Sequence, residues 1–443
     1  MRIGIVPALH RRRGGVYQYS LTMLRSLDVL KRSGTCTNEF VIFADPEDSL
    51  DLGSLELDSW KVNLLPLPSR KQQALERLSQ AVGEGVRSDA WRWMRRKLQT
   101  RGFMKTTVPD PDTVQFQPEL HRWATGCGVE LMLYPVPLER SFESGVPYVM
   151  AIHDLQHRLH PEFPEVSADG EWERREYLYR NGCRYATLVL ADSEIGKEDI
   201  LNVYGEYGIT PDRVKVLPFL PASYLAEDVP EAEKRRVGEI YDLPEQYLFY
   251  PAQYWPHKNH SRVVEALGLL KQEHRLEVPI VLCGTYAGTI REATFKQINS
   301  LSRRLHIENQ ILHIGYVPDD DISALYATAA GLVMPTFFGP TNIPVLEAWA
   351  LGCPVLTSDI RGIREQVSDA AILVDPKSAE AIADGIYRLL TEDDLRETLV
   401  TKGRQRLALY GPADYRSLLF DVLKEAETRV LAGSPSSLSV KIS

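Results

Sequence analysis

Four stretches of the sequence combine residue types and spacings that a ligand could use. The first runs Ala151-Ile152-His153-Asp154-Leu155-Gln156-His157-Arg158-Leu159-His160-Pro161, with a histidine directly after an apolar run. An imidazole at such a place, on the lip of a cleft, is suited to hydrogen-bonding a substrate hydroxyl. His153, His157 and His160 could also be weighed as metal ligands. But His153 ends the apolar run and Pro161 closes the segment, so the helical spacing that would converge three imidazoles is not expected. A structural role fits His157 and His160, and no metal site is expected.

The second stretch is Tyr250-Pro251-Ala252-Gln253-Tyr254-Trp255-Pro256-His257-Lys258-Asn259-His260. Lys258 falls near the start of an expected helix, where backbone N–H groups already favour anions, so a phosphate would gain from both dipole and charge. A solvated turn lysine is the plainer alternative. The third is Gly14-Gly15 between an apolar run and a helical pattern, fit either for close backbone approach to an anion or acceptor or for a tight turn alone. It is neither a Walker loop nor a full G-x-G-x-x-G. The fourth runs from Met334 to Val355, a Gly/Pro/Asn-rich turn followed by a short apolar helix carrying Glu347. An unpartnered carboxylate on that helix would be costly, so it either pairs with a base or accepts hydrogen bonds from ligand hydroxyls, such as a ribose diol.

These residues need elements to hold them. Short apolar runs alternate with longer amphipathic stretches from Arg2 to Leu217, and a second such series runs from Tyr247 to Val374. Near-continuous apolar strands suit a parallel sheet covered on both faces. The polar, Glu-rich stretch from Ala226 to Asp242 reads as the linker between the two series. The fold expected is α/β, two doubly wound Rossmann-like domains facing a cleft, with ligands beyond the carboxyl ends of the strands. Boundaries fall at 1–225 for the first domain and 226–411 for the second. A helix at about 412–430 can pack back onto the first domain, and 432–443 reads as a loose tail.

The whole composition agrees. At 443 residues, the chain has room for two large domains, and 44% hydrophobic with 25% charged residues is ordinary for a globular protein. A net charge of −9 argues against nucleic acid as a partner. Cys36, Cys127, Cys183, Cys283 and Cys353 are scattered without a C-x-x-C pair, which fits a reducing cytoplasm. No apolar run approaches the roughly 20 residues of a membrane span. Arg11-Arg12-Arg13 follows the first apolar run instead of preceding it, unlike a signal peptide.

The combination resembles a family-4 retaining glycosyltransferase of the GT-B architecture, also described as glycosyl transferases group 1, of the bacterial surface-polysaccharide type. The matching pieces are Gly14-Gly15-Val16, His153-Asp154, Ala191-Asp192-Ser193, Lys258-Asn259, Ile343-Pro344 with Leu346-Glu347-Ala348, Gly352-Cys353-Pro354-Val355 and Arg361 to Pro376. They occur in the family's order and cover nearly the whole chain. The resemblance implies that domain 1–225 binds the acceptor and domain 226–411 the nucleotide sugar, that Lys258 neutralises the donor diphosphate, that Glu347 binds the ribose and that His153 contacts the transferred sugar. It implies that Gly339, Thr341, Asn342 and Ile343 surround the sugar and β-phosphate, with Gly14 and Gly15 near the diphosphate or the acceptor. No metal and no cofactor beyond the nucleotide-diphosphate sugar is implied.

This sequence departs from the family pattern twice. The family's arginine five residues before the lysine is Gln253 here, and its glutamate eight residues before the second one is Gly339. Gln253 can hydrogen-bond a phosphate without neutralising it. The function implied is transfer of a hexose or deoxyhexose, with retention, to a glycan or lipid-linked acceptor in polysaccharide or lipopolysaccharide biosynthesis. Mannose from a guanosine diphosphate donor comes first, and dTDP-rhamnose or a UDP-hexose follows. A non-catalytic, regulatory sugar-nucleotide-binding member is the alternative. The basic, aromatic stretch 87–105, with Trp91, Arg92, Trp93, Arg95, Arg96 and Lys97, suits an anionic membrane surface. The expected location is the cytoplasm, with peripheral attachment to the inner face of the plasma membrane, unless those aromatics simply pack onto the domain.

Overall fold

The computed structural model describes residues 1–10, 14–44, 60–64, 110–226 and 228–433. Arg11 to Arg13, the basic stretch 87–105 and the tail from 434 onward lie outside the described residues.

The first sheet holds seven strands: β1 (Arg2–Ile5), β2 (Glu39–Ala44), β3 (Lys61–Leu64), β4 (Leu131–Tyr134), β5 (Tyr148–Ala151), β6 (Leu188–Ala191) and β7 (Val214–Val216). Their spatial order is β3-β2-β1-β4-β5-β6-β7, and every pair is parallel. The second sheet holds β8 (Leu248–Pro251), β9 (Ile280–Cys283), β10 (Ile311–Gly315), β11 (Gly331–Met334), β12 (Val355–Ser358) and β13 (Ile372–Val374). Its order is β10-β9-β8-β11-β12-β13, again all parallel. Twelve of these thirteen strands fall on the apolar runs of the sequence. The exception is β3, an edge strand exposed along most of its length, which therefore carries no apolar signal.

The polar stretch 226–242, expected as a linker, is largely helical. It contains the helix Glu231–Ile240, which buries only Val237 and so looks polar in sequence. Arg236 pairs with Asp321, and the Tyr241 hydroxyl donates to Asp321 Oδ2 at 2.7 Å, tying this helix to the helix Asp319–Thr328.

The last helix, Pro412–Leu431, leaves the second sheet and covers the first. Tyr415, Leu419, Val422, Leu423 and Ala426 join Ile3, Ile5, Leu24, Leu27, Ile42 and Leu131 in one buried cluster. Lys215 pairs with Glu425 at 2.7 Å, and Arg429 with Asp212 at 2.8 Å, which fixes the helix along β7. Leu419→Ala should therefore destabilise the protein by roughly 2–5 kcal/mol, the usual cost of a core cavity. Thermal melting checks this, and an unchanged Tm would mean that the helix is not part of the first sheet's core.

Candidate active site

Each sheet delivers its chemistry at the carboxyl ends of its strands, because helices cover both faces and only those ends open to ligands. Here the two sets of ends meet across a cleft of about 730 Å³. Gly14, Gly15, His153, Gln253, Lys258, Gly339, Thr341, Asn342 and Ile343 all line it.

On the first sheet, β1 leads to Gly14, whose φ of 60° caps the helix Gly15–Arg32 in a conformation that favours glycine. A Cβ on Gly15 would meet Ile343 Cδ1 at 3.5 Å, so this turn faces the second sheet's loop directly. After β5, His153 donates Nε2–H to Pro135 O at 2.9 Å, and its ring packs edge-on against Tyr19. A carbonyl can only accept, so the neutral ring presents Nδ1 as an acceptor. Burial pushes the His153 pKa down, which keeps the ring neutral. Asp154 accepts from Gln156 N at 3.0 Å and from Arg175 Nη1 at 3.2 Å. Burial alone would raise its pKa, but Arg175 and these hydrogen bonds hold it below the ordinary value.

The other two histidines are occupied elsewhere. His157 is fully buried, with Nε2 2.9 Å from the Tyr204 hydroxyl, and His160 Nδ1 faces Glu162 at 3.0 Å. Both rings are thus engaged by neighbouring side chains, His157 in the core and His160 at its edge.

On the second sheet, the turn after β8 carries Gln253, Trp255 and Lys258. Asn259 closes it with φ 62°, and its amide donates to Pro335 O and Pro376 O, both at 2.7 Å. These two bonds pin the turn to the ends of β11 and β13. Lys258 has no ion pair among the described residues. Burial lowers its pKa to about 8, partly offset by the charges of Asp154 and Glu165. Gln253 Oε1 accepts from Trp255 Nε1 at 3.1 Å and from Arg291 Nη1 at 2.7 Å.

The loop after β11 is set by its neighbours. Gly362 approaches Pro340 so closely that a Cβ would stand 2.5 Å from Pro340 Cα. Gln366 bonds both the N–H and the C=O of Asn342 at 2.9 Å, so that N–H is already engaged. Thr341 reaches across the cleft and donates to Asp192 Oδ2 at 2.7 Å.

Glu347 is the expected site residue that the structure does not bring to the cleft wall. It is buried on the helix Ile343–Ala350, where Oε1 accepts from the Tyr224 hydroxyl at 2.9 Å and Oε2 from the Tyr326 hydroxyl at 2.8 Å. Burial raises its pKa, while the two tyrosines act in the opposite direction. The costly lone acid is thus relieved by tyrosine hydroxyls, a solution that neither a base nor a ligand supplies.

Glu165, Arg175 and Arg291 also line the cleft without having been singled out from the sequence, and so does Asp192, which the sequence offered only as part of the family match. Asp192 follows β6 and is almost completely buried, and its Oδ1 takes no bond from any other described residue. Burial, opposed by Thr341 and aided by nearby acids, raises its pKa from 3.8 to about 7.

Comparison with known proteins places this geometry. The family model for glycosyl transferases group 1 matches residues 231–406. The O-antigen chain mannosyltransferase B of Escherichia coli is 31% identical over 219 residues, covering 49% of this chain and 55% of that protein. The serotype-specific mannosyltransferase WbdA of Escherichia coli is 24% identical over 277 residues, covering 62% of this chain and 31% of that protein. The chain thus spans about half or less of these relatives' length. Among solved structures, Anabaena HepE in complex with UDP and glucose superposes with a TM-score of 0.64 at 16% identity, over 97% of this chain and 100% of that one. WaaG, a glycosyltransferase involved in lipopolysaccharide biosynthesis, gives 0.58 at 14% identity, over 95% and 99%. The fold is GT-B, two Rossmann-like domains.

The state of Asp192 has a measurable consequence. A folded pKa near 7 against 3.8 means the folded chain holds a proton that the unfolded chain releases. Stability is then full below about pH 4 and is lost as pH rises to about 7. Asp192→Asn keeps an acceptor for Thr341 and removes the charge. It should leave Tm unchanged at pH 4 and raise it at pH 8 by at least about 2 °C. A difference independent of pH would show that Asp192 is ionised without cost.

Proposed function

We propose that this protein, whose residues 231–406 match the glycosyl transferases group 1 model on a GT-B fold, is a retaining glycosyltransferase that moves a hexose, mannose first, from a nucleotide-diphosphate sugar to a glycan or lipid-linked acceptor. The observation that carries the reading is Lys258: a half-buried ammonium in the cleft with no ion pair among the described residues, facing a Gly/Pro/Asn-rich loop. A cation left unpaired in such surroundings is stabilised when a diphosphate arrives. The names of the mannosyltransferase relatives favour mannose and O-antigen-type polysaccharide.

In this reading the C1–O bond to the diphosphate breaks, and its electron pair stays on the departing phosphate oxygen. Lys258 offsets the charge that develops there. The acceptor oxygen bonds C1 on the face the diphosphate leaves, and its proton passes to a phosphate oxygen. His153 holds a sugar hydroxyl through Nδ1, and Gly14-Gly15 brings backbone N–H groups to the opposite wall. The cationic side chains replace a metal in stabilising the leaving group. One observation favours a non-catalytic member: the tyrosine-capped Glu347. Release of nucleoside diphosphate from GDP-mannose, dTDP-rhamnose and UDP-glucose, with and without lipid-linked acceptors, separates the two. Turnover in chelator with the donor's anomeric configuration kept is the expected result; no release from any donor sinks the enzymatic reading.

The pH profile offers a second check. A bound diphosphate favours protonated Lys258, so donor binding takes up a proton once the free lysine begins to lose its own. Donor affinity should be flat below pH 7 and should fall above about pH 8, approaching tenfold per pH unit. Lys258→Met should bind donor weakly at every pH and lose that slope. A slope retained in Lys258→Met would assign the titration to another group.

A further inference from the structure

Where the family pattern has an arginine, this chain has Gln253, and the structure shows what that glutamine does. Its Oε1 accepts from Arg291 Nη1 at 2.7 Å and from Trp255 Nε1 at 3.1 Å. Arg291 comes from a different element, the first turn of the helix Thr289–Arg304, thirty-eight positions further along the chain. Its guanidinium lies over the Trp255 ring, 4.7 Å from the centroid, and lines the same cleft as Lys258. Arg361, Arg388 and Arg396 each rest on a carboxylate. Arg291 forms no ion pair among the described residues, and burial is the only influence on its pKa, which it lowers. A half-buried guanidinium, oriented by an amide and an aromatic ring and left without a counter-ion, is a prepared site for an anion.

We infer that Arg291 is the second cation of the donor diphosphate site, so that the charge absent at position 253 enters the cleft from the neighbouring helix, with Gln253 as its positioning residue. This rests on the proposed donor site. The turn Gln253 to Lys258 is rigid, with Trp255 N bonded to Gln253 O at 2.8 Å and Lys258 N to Trp255 O at 2.9 Å. It therefore holds one cation directly and the other through the Gln253 amide. A guanidinium forks onto two phosphate oxygens, whereas an ammonium acts as a point charge, so the two cations are not redundant. An arginine at 253 would bring two guanidiniums into contact. The native glutamine is thus a partner for Arg291, not a defect.

The test measures binding of GDP, UDP, dTDP, ADP and CDP, and of the matching monophosphates, by calorimetry. Arg291→Gln should weaken the preferred diphosphate roughly ten- to hundred-fold and collapse its advantage over the monophosphate. Gln253→Arg alone should also weaken it, and Gln253→Arg combined with Arg291→Gln should return affinity close to the wild type. If Arg291→Gln does not fold, Arg291→Lys serves, and a loss of diphosphate preference at unchanged Tm is expected there. An unchanged diphosphate-to-monophosphate ratio in the position-291 variants, or a double variant no better than Arg291→Gln, overturns the role given to Arg291. A wild type that binds none of the five diphosphates instead overturns the donor-site reading, and this inference with it.

Discussion

Glu165 Oε1 accepts two hydrogen bonds from His257, one from the backbone N–H at 3.1 Å and one from Nδ1 at 2.6 Å. The glutamate belongs to the first sheet's half and the histidine directly precedes Lys258 in the second, so this contact fixes where the lysine stands relative to His153 and Asp154. Burial pushes the Glu165 pKa up, but the His257 contacts outweigh it and keep the carboxylate ionised. Burial and the adjacent Lys258 in turn lower the pKa of His257, so a neutral imidazole donates through Nδ1. The negative charge of Glu165 therefore remains available to Lys258 through space without neutralising it by contact. A lysine paired at short range would have to be released before it could meet a phosphate, and a lysine with no acid nearby would lose its proton more readily.

The two halves are joined by the same logic elsewhere. Glu365 accepts from the N–H groups of Glu194 and Ile195 at 3.0 Å each, at the positive end of the helix Glu194–Tyr204. Arg361 pairs with Asp199 on that helix at 2.7 Å, and Thr341 bonds Asp192 just before it. The segment from Arg361 to Gln366 thus serves two purposes. Gly362 and Gln366 shape the loop at Pro340 and Asn342, while Arg361 and Glu365 hold the opposite domain. The cleft wall and the domain contact rest on one short helix.

This division explains what could be read from the sequence. His153, Lys258 and the loop from Gly339 to Ile343 were legible because each follows an apolar strand run directly, and strand ends are where a parallel sheet opens. Arg291, Glu165 and Asp192 were not. Arg291 stands in Thr289-Ile290-Arg291-Glu292, which looks like any solvated helix start, and only the packing of that helix against the turn Pro256–Lys258 after β8 brings it to Gln253. Asp192 was visible as part of a family match, but its charge state depends on burial beneath Thr341, 149 positions away. The stretch 226–242 was read as a polar linker and not as a helix because Glu231–Ile240 buries a single side chain, and one buried apolar position leaves little periodicity to detect.

Glu347 shows the reasoning right in its premise and incomplete in its outcome. A carboxylate on an apolar helix did need donors, and two tyrosine hydroxyls supply them. They differ in standing: Tyr326 is fully buried in the second sheet's core, whereas Tyr224 is half-exposed on the segment that crosses between the sheets. A phenol hydroxyl and a ribose hydroxyl are the same kind of donor to a carboxylate. Exchanging Tyr224 for a ribose hydroxyl would leave the number of hydrogen bonds to Glu347 unchanged, and the freed phenol could bond to water. The balance would then turn on the other terms, the burial of the ribose against the exposure of one tyrosine ring. The carboxylate is thus satisfied within the protein by two phenols of unequal burial, and the more exposed one, Tyr224, is the less costly to exchange.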